Sequence, residues 1–254
     1  SQQELNHIGC QEGEIDDEGM CVLAEENNAQ LFGQNLDEYV AYENLESGFL
    51  AMPKQEGEYP GIVMIHEWWG LNDNIKEMAK VLAKEGYIVY AVDLYGEVAT
   101  ESNKARELAT SVRQNPSKAV SDMKKAVEYL KVIGVIKIAS IGWCFGGQQS
   151  LQLSLNEKLD ATVIYYGQLT DDKEQLKNIN WHVLGIFGEE DSSITVESVR
   201  SFETALNDLG IDNNIYIYPR VGHAFANPSG SNYAAEETID AWDKTVKFLN
   251  ENLK

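Results

Sequence analysis

The run Ile136-Lys137-Ile138-Ala139-Ser140-Ile141, then Gly142-Trp143-Cys144-Phe145-Gly146-Gly147, then Gln148-Gln149-Ser150-Leu151-Gln152-Leu153 decides how this chain is read. The first segment is short, apolar and β-branched, as a buried strand is. The last has the composition to begin a helix. Between them lies Gly-X-Cys-X-Gly, a strand–turn–helix elbow that presents a nucleophile at the end of a sheet, with Cys where Ser is more common. Such a turn forces its central residue into an unfavourable backbone conformation. It also brings strand and helix so close that the residues two before and two after must lack side chains. Gly142 and Gly146 occupy those two positions. The competing reading is a structural thiol, since free Cys is among the most buried residue types.

Outward from the elbow, apolar runs alternate with segments of helical period. Tyr39–Tyr42 and Gly48–Met52 read as an antiparallel entry to a sheet, with Pro53 to Pro60 as a surface turn. Ile62–Ile65 is a buried strand. Asn72 or Asp73 caps a helix with Ile75, Met78, Ala79 and Leu82 on one face, and Gly86 ends it. Tyr87–Val92 is the next strand, and helical spacing returns at Val120, Met123, Val127 and Leu130. Beyond the elbow come strands at 161–166, 183–187 and 215–218. Helices carrying Val199, Phe202 and Leu206, and then Ile239, Trp242, Val246 and Leu249, complete the pattern. Continuous apolar strands separated by amphipathic helices imply a mostly parallel sheet covered on both faces.

In such a sheet, function gathers at the carboxyl ends of the strands. One strand ends in the elbow, another in His66-Glu67-Trp68-Trp69-Gly70, a third in Gly188-Glu189-Glu190-Asp191, and the last leads into Gly222-His223-Ala224-Phe225. A nucleophile needs a base to take its proton, and the base needs an acid to hold its tautomer. Cys144, Asp191 and His223 supply these groups in that chain order, with Glu189 and Glu190 competing for the acid role. His66-Glu67 lacks the second His of a zinc-binding helix, so no metal is expected, and acyl transfer through such a nucleophile needs no cofactor.

Length and charge set the bounds. The 254 residues suffice for one large α/β domain. A net charge of −21 argues against nucleic acid or an anionic membrane surface as partner. No uncharged apolar run reaches membrane-span length. Residues 1–58 hold fourteen Asp and Glu against Lys54 alone, so most of the charge lies in the N-terminal segment, read as a solvated face or tail. Cys10 and Cys21 flank an acidic loop. A disulfide between them would indicate export, and two free thiols a reducing compartment. The chain starts at Ser1 and not Met, so removal of a leading segment is expected, as an export signal or by trimming. The expected organisation is an acidic extension over 1–47 and a hydrolase domain over 48–254, as a monomer or small homo-oligomer.

From about Gly48 onward the sequence resembles the dienelactone hydrolase family. The likeness rests on His66-Glu67-Trp68-Trp69-Gly70-Leu71, Asp93-Leu94-Tyr95, the elbow, Gly188-Glu189-Glu190-Asp191, and Gly222-His223-Ala224-Phe225-Ala226-Asn227-Pro228. The resemblance implies an α/β-hydrolase fold and ester or lactone hydrolysis by a Cys-His-Asp triad on Cys144, His223 and Asp191. It places on Glu67 a glutamate that contacts the resting thiol. Backbone N–H groups of Trp68 and Phe145 are the expected oxyanion donors. Trp69, Tyr95, Trp143, Phe225 and Asn227 are the expected pocket residues.

One departure bears on substrate. The family's type enzymes hold a substrate carboxylate with an Arg shortly after Asp-Leu-Tyr and another just past the catalytic His. Here Gly96-Glu97-Val98 follows Tyr95, Asn227 stands after His223, and of the four Arg in the chain Arg220 alone lies near a motif. A carboxylate would meet Glu67 and Glu97 without a cationic partner, which is costly. Neutral small esters are therefore expected, with the anionic lactone of a carboxymethylenebutenolidase as the alternative. A non-catalytic binder or redox-responsive thiol protein on the same fold is the alternative of another class.

Overall fold

Runs such as Gly61–Ile65 have no polar face, so a strand made from them needs cover on both sides. In the computed structural model, which describes residues 39–45 and 48–254, they receive it. The strands are β1 (Tyr39–Leu45), β2 (Gly48–Pro53), β3 (Gly61–Ile65), β4 (Ile88–Val92), β5 (Ile138–Trp143), β6 (Ala161–Tyr165), β7 (His182–Gly188) and β8 (Asn213–Tyr218). They form one sheet in the order β1-β2-β4-β3-β5-β6-β7-β8. β1 and β2 pair antiparallel, β2 meets β4 antiparallel, and every later pairing is parallel. This is the α/β-hydrolase arrangement. Every residue of β3, β4, β5 and β6 is buried.

The helices are α1 (Asp73–Lys84), α2 (Ser102–Gln114), α3 (Pro116–Val132), α4 (Phe145–Asn156), α5 (Lys173–Leu176), α6 (Val196–Asp208) and α7 (Ala235–Leu253). Alternate strand residues point to opposite faces. Ile62, Met64 and Ile141 pack with Ile75 and Leu82 of α1 and Phe248 and Leu249 of α7. Val63 and Ile65 pack with Met123, Val127 and Leu130 of α3 on the other face. The elbow helix α4 sits against its strands through small hydroxyl residues: Ser150 Oγ donates to the Val163 carbonyl at 3.0 Å. A buried hydroxyl is tolerated when so satisfied.

Several sequence expectations shift. The elbow strand runs from Ile138 to Trp143, and Ile136 is 81% exposed instead of buried. Helix α2 has no counterpart in the sequence reading, although Ala105, Leu108, Ala109 and Val112 stand at helical spacing; only the small Ala105 and Ala109 are fully buried, and Val112 packs on the core partly buried. The last helix turns Thr238, Ala241, Thr245, Phe248 and Leu249 inward, while Ile239 is 45% exposed. Asn72 does cap α1, accepting from the Ile75 N–H at 3.2 Å. The Cys10/Cys21 pairing and the irregular course expected for 1–35 lie outside the described residues. Among the described residues, no helix is long and apolar enough to cross a membrane.

Candidate active site

Four loops at the carboxyl ends of β3, β5, β7 and the end of β8 converge. The elbow between β5 and α4 holds Cys144 at φ 54° and ψ −114°, a region that non-glycine residues rarely enter. Two glycines make it possible: a Cβ on Gly142 would lie 2.1 Å from the Gly146 carbonyl oxygen, and one on Gly146 would lie 2.3 Å from that of Ile65. The Cys144 N–H donates to the Tyr165 carbonyl at 3.0 Å, tying the turn to β6.

The thiol meets a chain of hydrogen bonds. His223 Nε2 stands 3.0 Å from Cys144 Sγ, and His223 Nδ1 stands 2.7 Å from Asp191 Oδ2. Asp191 is buried on the turn after β7, and its Oδ1 accepts the N–H groups of Ser193 at 2.8 Å and Ile194 at 2.9 Å. Burial would raise its pKa, but the bonds from His223, Ile194 and Ser193 outweigh that and hold the carboxylate below its usual range. Burial pulls the other way on His223, yet hydrogen bonds to Asp191 and Cys144 raise it to about 10. Glu189 and Glu190, the rival acids, are exposed.

Glu67 is buried behind this array and takes a different partner from the one expected. Its Oε2 accepts from Asn227 Nδ2 at 2.7 Å, while the thiol bonds His223. Desolvation raises its pKa to about 7, against the pull of the His223 charge and of the Asn227 bond. Asn227 is thus brought into the site as a holder of Glu67. Trp68 and Trp69 are half-buried with ring centres 4.9 Å apart, and Tyr95 is half-buried 5.5 Å from the Phe145 ring. Trp143 and Phe225 do not reach open surface. Trp143 is buried in the core 5.4 Å from Tyr165, and Phe225 packs on Tyr166 and Tyr218. A polar cleft of about 430 Å³ lined by Glu190, Ser192, Arg220, Asn232 and Tyr233 opens beside His223.

Two neighbours escaped the sequence reading. Tyr166 directly follows β6 in a positive-φ conformation (34°), with its ring edge-on to His223 at 5.4 Å. Its place at a strand end was the available signal. Arg113, on α2, stands over the Phe145 ring with Cζ 5.5 Å from its centre, and its Nε donates to Gln148 Oε1 at 2.9 Å. It was hidden because α2 itself was. Glu97, expected to face the pocket, is half-exposed and ion-paired to Lys104 at 3.1 Å. Among the described residues, no group of three or more His, Cys, Asp or Glu is placed to hold a metal ion.

This geometry has relatives. The family model described as the dienelactone hydrolase family matches residues 47–253. A protein of Saccharolobus solfataricus named "Putative carboxymethylenebutenolidase" is 32% identical over 239 residues, spanning 79% of this chain and 92% of its own. The protein usf of Aquifex pyrophilus is 33% identical over 217 residues, spanning 81% and 93%. Among solved structures, a dienelactone hydrolase-like promiscuous phosphotriesterase from metagenomic libraries superposes with a TM-score of 0.76 at 24% identity, covering 85% of this chain and 98% of that one. That likeness speaks for the fold.

Proposed function

The chain belongs to the dienelactone hydrolase family and is an ester or lactone hydrolase, and from that premise we propose that it works through a Cys144-His223-Asp191 triad and a thioester acyl-enzyme. The observation that carries this reading is the continuous chain Cys144 Sγ···His223 Nε2 at 3.0 Å and His223 Nδ1···Asp191 Oδ2 at 2.7 Å. Asp191 holds the imidazole through Nδ1–H and, with the Cys144 bond, raises its pKa to about 10, so Nε2 takes and keeps the proton that the attacking sulfur gives up. The sulfur attacks the ester or lactone carbonyl carbon, and the oxygen takes up the negative charge as the C–S bond forms. Backbone N–H groups of Phe145 and Trp68 receive that charge. Collapse of the tetrahedral adduct breaks the C–O bond, and His223 returns its proton to the leaving oxygen. A water then attacks the thioester carbon and gives its proton to His223, the C–S bond breaks, the acid leaves, and the proton is again shared between His223 and the Cys144 sulfur.

Glu67 acts beside the triad as a buried carboxyl whose charge favours the imidazolium. We take residues 48–254 as the hydrolase domain and 1–47 as its acidic extension. Neutral small esters remain the proposed substrates, since no Arg follows Asp93-Leu94-Tyr95 directly or stands just past His223. A second reading, an anionic lactone, is favoured by Arg113 over Phe145.

Mass spectrometry after mixing the protein with a chromogenic ester tests the main reading. An acyl adduct on Cys144 during turnover is expected. Hydrolysis at full rate with no adduct there, even after acid quench on the millisecond scale, would sink it.

A further inference from the structure

His66 is fully buried beside the site and has no part in the proton transfers proposed above. Its ring nitrogens are both engaged. The Leu94 N–H donates to Nε2 at 3.2 Å, so that nitrogen presents its lone pair. Burial lowers the pKa of the imidazole and keeps it neutral, and its one ring proton therefore sits on Nδ1. Nδ1 lies 2.5 Å from the Glu67 carbonyl oxygen, which can only accept. The same oxygen accepts a second, longer bond from the Gly70 N–H at 3.3 Å.

The Glu67 carbonyl and the Trp68 N–H are opposite ends of one planar trans peptide. Whatever fixes the direction of the C=O fixes the direction of the N–H. The His66 ring also stacks on Phe145, with centres 5.8 Å apart and planes 18° apart, and meets Tyr95 at 4.6 Å. It thus bonds the peptide that carries one proposed oxyanion donor and stacks on the residue that carries the other. We infer that His66 is a positioning residue for the oxyanion hole: its Nδ1–H clamps the Glu67–Trp68 peptide so that the Trp68 N–H points at the developing oxyanion. This rests on the reading of Trp68 and Phe145 as the donors. A bond aimed before reaction starts needs no reorganisation as charge develops, which is where most of such a donor's value lies.

The test compares His66→Asn with His66→Leu. The two side chains have nearly the same size and shape, and both lose the tie to Leu94 and the ring stacking. Asn keeps an N–H donor at the position of Nδ1, and Leu does not. For His66→Leu, kcat should fall at least about tenfold with KM within about threefold, and affinity for a trifluoromethyl ketone, whose hemithioketal oxygen occupies the hole, should fall in step. His66→Asn should restore most of both. Alkylation of Cys144 by iodoacetamide, which builds no oxyanion, should proceed at the wild-type rate in each variant. Equal kcat in the Leu and Asn variants, or alkylation that slows together with kcat, would overturn the inference. Nitrogen-15 NMR of histidine in the wild-type protein provides a check that no substitution can disturb. A neutral, Nδ1-protonated His66 is required, and the Nε2-protonated form would refute it. Failure of the triad reading looks different: the wild-type protein itself would show no trifluoromethyl ketone adduct on Cys144.

Discussion

Asn227 Nδ2 donates to Glu67 Oε2 at 2.7 Å and so ties the loop after β3 to the loop after β8, 160 residues apart in sequence. The bond holds a carboxyl that the fold has taken out of water, and its pKa stands at about 7 where 4.5 is ordinary. An acid whose folded pKa is raised binds its proton more tightly in the folded chain. That contribution is present in full below the unfolded pKa and is lost as pH rises from about 4.5 to about 7. Its size is on the order of 3 kcal/mol. Glu67→Gln retains an acceptor for Asn227 and cannot ionise. Its stability should match the wild type near pH 4, just below the unfolded pKa, and exceed it by up to ~3 kcal/mol near pH 8. Urea unfolding of both proteins across this range checks the sign, and parallel curves would remove Glu67 as the titrating group.

Cys144→Ala should abolish ester hydrolysis, with a loss of at least about a thousandfold in kcat/KM, and leave the fold unchanged. The elbow depends on close backbone approach at Gly142 and Gly146 and not on sulfur. Iodoacetamide should inactivate the wild type in proportion to modification of Cys144. Activity within tenfold of wild type in the Ala variant would remove Cys144 from the nucleophile's role.

Gly142→Ala should do the reverse, damaging the fold before the chemistry. The added Cβ would stand 2.1 Å from the Gly146 carbonyl oxygen, and backbone cannot move aside as a flexible side chain can. Overpacking of this kind costs on the order of 3 kcal/mol. A lowered urea midpoint is the expected result. An unchanged midpoint would mean that β5 and α4 can separate at the elbow.

These residues differ in how far they could be read in advance. The elbow was legible because a tight turn imposes glycines at fixed spacing, and the proximity of Cys144, Asp191 and His223 because candidate residues at strand ends are brought to one edge of the sheet. Helix α2 was overlooked although Ala105, Leu108, Ala109 and Val112 stand at helical spacing; with only the two small alanines fully buried, its apolar stripe is weaker than those of α1 and α3. The inner face of α7 was misread for a related reason. Thr245 is buried there with Oγ1 donating to the Ala241 carbonyl at 2.9 Å and bonded to Tyr165 Oη at 2.6 Å, and a polar residue satisfied within the core does not show in a pattern of large apolar residues. The Glu67–Asn227 bond has no local signal at all, because it joins loops that only the closed sheet brings together.

The same blindness to α2 bears on substrate charge. An incoming carboxylate was expected to meet Glu97 with no cation nearby, yet Glu97 pairs with Lys104 at 3.1 Å on the surface. Glu67 is close to half-protonated at neutral pH. Arg113 stands over the Phe145 ring with no carboxylate of the described residues in ion-pair reach, beside a buried Tyr95 hydroxyl that lacks a hydrogen-bond partner. Its guanidinium is exposed, so its pull on a substrate anion is screened and worth about 1 kcal/mol, roughly fivefold in rate. That is less than a buried bidentate clamp supplies. Neutral short esters should therefore keep the higher kcat/KM over matched carboxylate-bearing esters, by about tenfold, and Arg113→Gln should widen the gap by lowering the anionic substrate alone. High salt should narrow the difference between wild type and variant. If the carboxylate-bearing ester is the better substrate of the wild type, and Arg113→Gln cancels that preference, the anionic-lactone reading takes the place of the neutral one.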